Sequence, residues 1–469
     1  MAEPSIIPYW RSCVVIRKIS IGLFCVFFFV TLTACKLGVS HEPAPETVKN
    51  ASTGFSNKAL TIAVFEGAYG KSYWEEVVKR FEADYPGVRV NIIANPKIMD
   101  VIKPMNIAGN PPDFLYAPFT ESTNMVRSMI GSRSFMDLTG LFDSPALGQD
   151  VPLKGIMMDG ILDYARPYGD GKVYMAPNYV TTEGLWYNKA LFKEKGWSPP
   201  RTWDEFWALG EAASTEGIAL FTYPGVYPGY IGSMLWSSIA SESGVAGVEA
   251  IMNYEKGSFG TPEVKRVLEL FEKMADSGAL MPGTVALNHT QAQSEFLKNK
   301  ALFIPNGSWL EGEMKDISRA EGFEFGFLLT PTFEPDDPQF ARISFEAMFI
   351  PEKAKNKELA MEFIKYQYRD DIIRLNAEKS TGVIAVRSGA ELAKDSLPAS
   401  VYDSATVFER GVQPFLFEWR VTPPTPFSIN DEVFNPINTV MKGDMSVDQW
   451  IDHVEKTFAR LRDLLDKVK

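Results

Sequence analysis

Residues 58–67 read KALTIAVFEG, and how this stretch is read decides the fold. Leu60, Ile62 and Val64 alternate with the smaller or polar Thr61 and Ala63, which is the period of a strand, and Gly67 and Gly70 then punctuate a turn. The next segment changes period. In SYWEEVVKRF (72–81), Trp74, Val77, Val78 and Phe81 recur at i, i+3, i+4 and i+7, so a helix follows, with Ser72 and Glu75 at capping-box spacing. Pro86-Gly87 stops that helix, YPGVRVNII (85–93) begins a second strand, and PPDFLYAPF (111–119) is a third, entered through two prolines. Strand, helix, strand, helix, strand with short connectors predicts an α/β fold on a mainly parallel sheet flanked by helices, with ligands at the carboxyl ends of the strands.

The same grammar returns later. RTWDEFWALGEAAS (201–214) places Thr202 and Glu205 at capping-box spacing. GTPEVKRVLELFEKMADSGAL (260–280) offers Thr261 as cap, Pro262 at the first helical position, one apolar face from Val264 to Met274, and Gly278 as a stop. KNKELAMEFIKYQY (355–368) and SVDQWIDHVEKTFARLRDLL (446–465) read as amphipathic helices. There is no internal repeat, and the length suits two α/β lobes.

The N-terminus is an address rather than a fold. The 16 uncharged residues from Ile19 to Ala34, behind Arg17 and Lys18, are too few to span a membrane comfortably and suit the apolar part of a secretion signal. All 3 cysteines, Cys13, Cys25 and Cys35, precede residue 36. The tetrad LTAC (32–35) resembles the lipobox of bacterial lipoproteins. That resemblance implies a signal peptide over residues 1–34, cleavage before Cys35, lipidation of its thiol with palmitate-type chains, and a flexible tether over 35–57 whose reach is on the order of 25 Å. One lipid-bearing cysteine and no disulfide would remain.

With 45% apolar and 23% charged residues, the remainder is an ordinary globular protein. Removing Glu3, Arg11, Arg17 and Lys18 with the signal takes the formal charge from −12 to −14, which argues against nucleic acid or anionic lipid as the main partner. Aromatic residues make up 13%, including 10 Trp, a surplus that a site stacking on flat ligand faces would use.

The stretch GKVYMAPNYVTTEGLWYNKALFKEKGWSPPRTWDEFWALGEAA (171–213) resembles the family 1 extracellular solute-binding proteins, the maltose-binding-protein-like sugar receptors of bacterial ABC importers. It carries that family's elements as Tyr174 with Pro177, Tyr187-Asn188-Lys189 with Phe192, and Pro199 to Glu205. Further matches follow in order: RFEADYPGVRV, PPDFLYAP, FLKNKALFIPNGSW, FGFLLTP, IPEKAKNKELAMEFIKY and STGVIAVRS. The resemblance implies a two-lobed, type II periplasmic-binding-protein-like fold with a hinge. Residues 58–178 plus 330–382 would form the N-terminal lobe, and 179–329 plus 383–469 the C-terminal lobe. It further implies an extracytoplasmic, monomeric receptor at the cell membrane that captures a carbohydrate, an oligosaccharide above all, and delivers it to permease subunits, with no cofactor, metal or nucleic acid.

By the same resemblance Trp309, at the family's Asn-Gly-x-Trp position, and Trp419, in FEWRVTP, would stack on sugar. Glu66 and Tyr69 follow the first strand at its carboxyl end. Phe119, Thr120 and Glu121 hold the corresponding end of the third strand, a departure from the acidic and basic pair of the maltose-type receptor. Thr181 and Thr182 stand near that receptor's acidic contact with Glu183 offset, and Tyr223 falls where the family presents an aromatic contact. Trp203, Asp204 and Phe206 read as helix-start packing, and Tyr187-Asn188 as a structural turn.

Two rival readings stay open. A lipid-anchored carbohydrate-active enzyme could draw a catalytic pair from 59 acidic residues, although no G-x-S-x-G elbow is present and His41, His289 and His453 are scattered. A surface glycan-binding adhesin would need an aromatic platform rather than a hinge. The reading adopted is a receptor, not an enzyme.

Overall fold

A computed structural model describes residues 54–118, 124–420, 422–423 and 425–467. Residues 1–53, with Cys35, and the stretch 119–123, with Phe119 and Glu121, lie outside the described residues. Ten strands, numbered in chain order, appear within them.

β1 (Ala59–Phe65) buries Leu60, Ile62 and Val64 and pairs in parallel with β2 (Arg89–Asn95) on one side and β3 (Phe114–Pro118) on the other. Between β1 and β2 runs the helix Ser72–Asp84, whose expected stripe of Trp74, Val77, Val78 and Phe81 is buried along with Tyr73. Its expected capping box is not formed. The helix already includes Ser72, Lys71 occupies the N-cap, the Ser72 hydroxyl donates to the Lys379 carbonyl at 3.2 Å, and Glu75 pairs with Lys71 at 3.3 Å. After the turn closed by Gly70 N–H on the Gly67 carbonyl, the N-cap falls at Lys71, one residue before the cap that the spacing suggested.

Two long strands carry the chain between two apolar cores. β4 (Ala176–Asn188) contributes Ala176 and Tyr179 to one core and Leu185 and Tyr187 to the other, and β8 (Phe340–Phe349) likewise gives Phe349 to the first and Phe340 to the second. They pair antiparallel, Thr181 opposite Ser344, and the register shifts between Pro177 and Val180. Beyond them, β5 (Ala219–Phe221) lies parallel to β6 (Ala301–Gly307), and β6 and β7 (Phe325–Leu328) both run antiparallel to β4. β9 (Val383–Ile384) pairs antiparallel with β4, and β10 (Gln413–Leu416) lies parallel to β8. The sheet order β2-β1-β3-β8-β4-β6-β5 is therefore mixed: parallel pairs sit toward both ends, and the antiparallel pairs surround the strands that cross between lobes.

The first core holds β1, β3 and the helices over 357–366 and 370–380, and the second the helices over 203–215, 232–252, 262–276 and 447–466. Thr202 and Glu205 complete both halves of a capping box, with Trp203 and Phe206 buried behind them, and Thr261 caps Pro262–Asp276 as its spacing indicated. Asn188 caps Lys189–Lys195, so Tyr187-Asn188 is a structural turn.

Candidate ligand cleft

Where β4 and β8 cross, their polar side chains form a ladder on one face. Thr181 faces Ser344, and one step further along the same face Glu183 meets Arg342 at 3.2 Å, both side chains at most 10% exposed. Cross-strand neighbours of opposite charge support the sheet, and a buried pair holds its geometry because either charge alone would be stranded. Gly232, at the start of the Gly232–Met252 helix, lets that backbone approach: a Cβ there would lie 2.9 Å from Arg342 Nη1. On β8 the alternation continues to Glu346.

The ladder floors a cleft of about 810 Å³, within the range of small-molecule sites. Phe65, Gly67 and Ala68 line it after β1, and Pro118 at the end of β3. Elsewhere on the wall stand Asn306, Gly307 and Trp309 after β6, the lip Val226–Tyr230, and Asn430, Asp431, Phe434 and Asn435 on the helix Ile429–Val440, which Ser428 caps. His289, whose imidazole stands 3.9 Å from Glu313, also reaches the wall.

Trp309 is half-buried and lies on Gly307, where a Cβ would come within 2.2 Å of the indole ring. Only glycine leaves room for the ring there. Beside it, Asn306 takes the Gly307 N–H on its Oδ1 at 2.9 Å and has a buried Nδ2 without a partner. Burial pushes the Glu346 carboxyl up to about 8, and its Oε2 is also unpartnered. A buried carboxyl without a nearby cation keeps its proton at neutral pH.

Of the residues expected at the site, the structure brings Thr181 and Trp309 to the wall. Tyr69 sits just behind it, its hydroxyl 2.9 Å from Thr181 Oγ1 and its ring stacked on Tyr179 at 4.1 Å; burial, then the charge of Glu346, raises its phenol pKa. Glu66 is half-buried between the cleft residues Phe65 and Gly67 without lining the cleft itself. Two expectations fail on packing. Trp419 is 1% exposed in the second core, stacked with Tyr254 and edge-on to Trp236, and touches the site only through Nε1–H donated to Asn430 Oδ1 at 2.6 Å. Tyr223 is fully buried and donates its hydroxyl to Asn438 at 2.6 Å. Phe119 and Glu121 lie outside the described residues.

Sequence reasoning missed Arg342, Glu346, His289, Tyr230 and the helix of Asn430. A signal existed for the first two. In FARISFEAMF, Arg342, Ser344 and Glu346 stand at period two inside an otherwise apolar strand, a polar face that a buried sheet has no reason to carry. Among the described residues no group of acidic, His or Cys side chains suits a metal, and no helix is long and apolar enough to cross a membrane.

Residues 76–401 match a family described as bacterial extracellular solute-binding protein. The chain belongs to that family. It is 26% identical over 449 residues to the diacetylchitobiose binding protein NgcE of Streptomyces coelicolor, covering 91% of each chain. It is 22% identical to the galactooligosaccharide-binding protein of Bacillus subtilis, over 94% of this chain and 96% of that one. Among solved structures it superposes on SBP RafE in complex with raffinose with a TM-score of 0.67 at 20% identity, covering 86% of this chain and all of the other, which establishes the two-lobed family fold.

Proposed function

We propose that this protein is the lipid-anchored receptor of a bacterial ABC importer, binding an oligosaccharide in the cleft and passing it unchanged to the permease. The observation that carries the reading is the Trp309 ring against Gly307 at the edge of an 810 Å³ cleft, next to the buried Nδ2 of Asn306, which donates to no partner. Sugars offer an apolar face to the indole and hydroxyls to planar amides and carboxylates, so an aromatic surface bordered by such groups suits them. Relatives named for binding diacetylchitobiose and galactooligosaccharide support the class. The lobes, 58–178 with 330–382 and 179–329 with 383–469, close on the ligand about β4 and β8, and a sugar drives closure by binding the closed state better. The closed monomer then docks on the permease. Cys35, at the end of LTAC, holds it extracytoplasmically at the membrane.

Thermal unfolding of the protein against a panel of saccharides tests this. One glycan should raise the midpoint and be recovered intact, with Trp309→Ala abolishing the shift. A cleaved glycan would replace the receptor with a hydrolase. Mass spectrometry should find diacylglycerol on Cys35 and no residue before it, both lost in Cys35→Ser.

A further inference from the structure

Two cleft residues, Asn306 and Glu346, each hold a buried polar atom without a partner, and these atoms bear on what a ligand must bring. Asn306 is 2% exposed and its Nδ2 donates to nothing; Glu346 Oε2 is buried and accepts nothing. Both residues line the same space as Trp309. A buried group without a partner carries a desolvation cost that a ligand reaching it would offset.

The charge of the walls narrows the ligand. Glu183, Glu313, Glu346 and Asp431 line the cleft against Arg342 and His289. Arg342 lies on Glu183 at 3.2 Å, and His289 stands beside Glu313 at 3.9 Å. Around Glu346, the described groups are Pro118 opposite it on β3, the Tyr69 phenol with Tyr179 behind it, the hydroxyls of Thr181, Ser344 and Ser308, and Arg342 further along β8 with Glu183. None of these brings a cation to its carboxyl, whose ionisation is opposed by burial alone.

We propose that the cleft is built for a saccharide bearing a protonated amine, with the ammonium on the Glu346 carboxylate, a sugar face on Trp309 and a sugar oxygen accepting from Asn306 Nδ2. This rests on the carbohydrate-receptor reading and sharpens it. An ammonium supplies both charge and N–H donors to a carboxylate that has lost its water, whereas a hydroxyl supplies one neutral donor. The acidic walls, on a chain of formal charge −12, also concentrate a cation at the entrance. The empty cleft holds a proton on Glu346 at neutral pH, because burial pushes that carboxyl up to about 8. When the ammonium enters, the carboxyl ionises and its proton leaves to solvent. Affinity therefore rises with pH until the amine itself deprotonates.

The test uses three disaccharides, of glucosamine, N-acetylglucosamine and glucose, identical but for an amine, an acetamide or a hydroxyl beside the anomeric carbon. Titration calorimetry at about pH 6 in buffers of different ionisation heat counts protons as well as affinity. The amine disaccharide should bind at least about tenfold tighter than the others, release close to one proton, and lose that advantage in Glu346→Gln. The proton count on the unaltered protein needs no variant, and a cooperative urea-unfolding transition like the parent's shows that Glu346→Gln is folded. If the acetamide or hydroxyl form binds as tightly, or no proton is released, the inference is overturned. If all three fail while another saccharide gives a Trp309-dependent shift, the amine is wrong and the receptor reading stands; if no saccharide binds, both fall.

Discussion

Trp309 and Trp419 each end a short stretch of sequence, PNGSW and LFEW, and the fold gives them opposite surroundings. Trp309 follows β6 into a turn, rests on a glycine and keeps one flank open to the cleft. Trp419 is walled in by Trp236, Tyr254, Phe417 and Phe458, side chains that reach it mostly from other segments of the chain. The two share one thread, since Trp419 orients Asn430, which lines the cleft that Trp309 borders. An aromatic residue's task is set by what distant segments bring against it, and the residues on either side of it say little.

The sharpest way to break this contrast is to truncate both. Trp419→Ala should cost about 3–5 kcal/mol of unfolding free energy, as for other buried large aromatics, read as a fall in the urea midpoint. A loss under about 1 kcal/mol would remove Trp419 from the core. Trp309→Ala should leave the unliganded protein within about 1 kcal/mol of the parent, since the ring is half-buried. It should instead abolish the roughly 2.7 kcal/mol that a ligand at a hundred times its dissociation constant adds. Were the two variants to exchange phenotypes, the cleft would be in the wrong place.

A third measurement separates the regions by pH. Trp419 packs among aromatic rings, whereas the cleft floor holds Glu346, raised by burial to about 8. A carboxyl whose folded value lies above its unfolded one binds its proton more tightly in the native state. Its ionisation therefore destabilises the fold, and stability falls as pH climbs from the unfolded value of about 4.3 toward 8, at up to about 1.4 kcal/mol per pH unit. Glu346→Gln should flatten that slope in pH-dependent urea unfolding and leave stability near pH 4 unchanged. Trp419→Phe should leave the slope as it is. A parent protein with no downward slope in this window would show that Glu346 is solvated or paired.

Much of the fold was legible because its signals are local. The alternation of Leu60, Ile62 and Val64, the stripe from Trp74 to Phe81 and the cap at Thr261 each depend on residues within a few positions. The cleft was legible only where a motif kept its local geometry, as in the glycine under Trp309. Arg342 and Glu183, 159 residues apart, meet because β4 and β8 share a register, and no local pattern encodes that pairing. Tyr223 was misplaced for the same reason: its partner Asn438 lies 215 residues away. The mixed sheet was also out of reach, since strand direction depends on how the chain returns between lobes.

The smallest effect tests this lesson on helix starts, where one spelling has two fates. Thr202-x-x-Glu205 and Ser72-x-x-Glu75 carry the same spacing, but only the first forms a capping box. At Thr202 the backbone is extended, so the hydroxyl accepts from the Glu205 N–H at 3.3 Å while the Glu205 carboxylate reaches back to the Arg201 and Thr202 N–H groups. Ser72 is already helical, and its hydroxyl bonds a carbonyl instead of an orphan N–H. Thr202→Ala should therefore cost about 1 kcal/mol, the ordinary worth of a side-chain cap. Ser72→Ala should stay within about 0.5 kcal/mol of the parent, as for a surface substitution outside any cap. Equal losses at the two sites would mean that the spacing alone makes the cap. Unequal ones would show that where the helix begins decides whether a capping sequence is used.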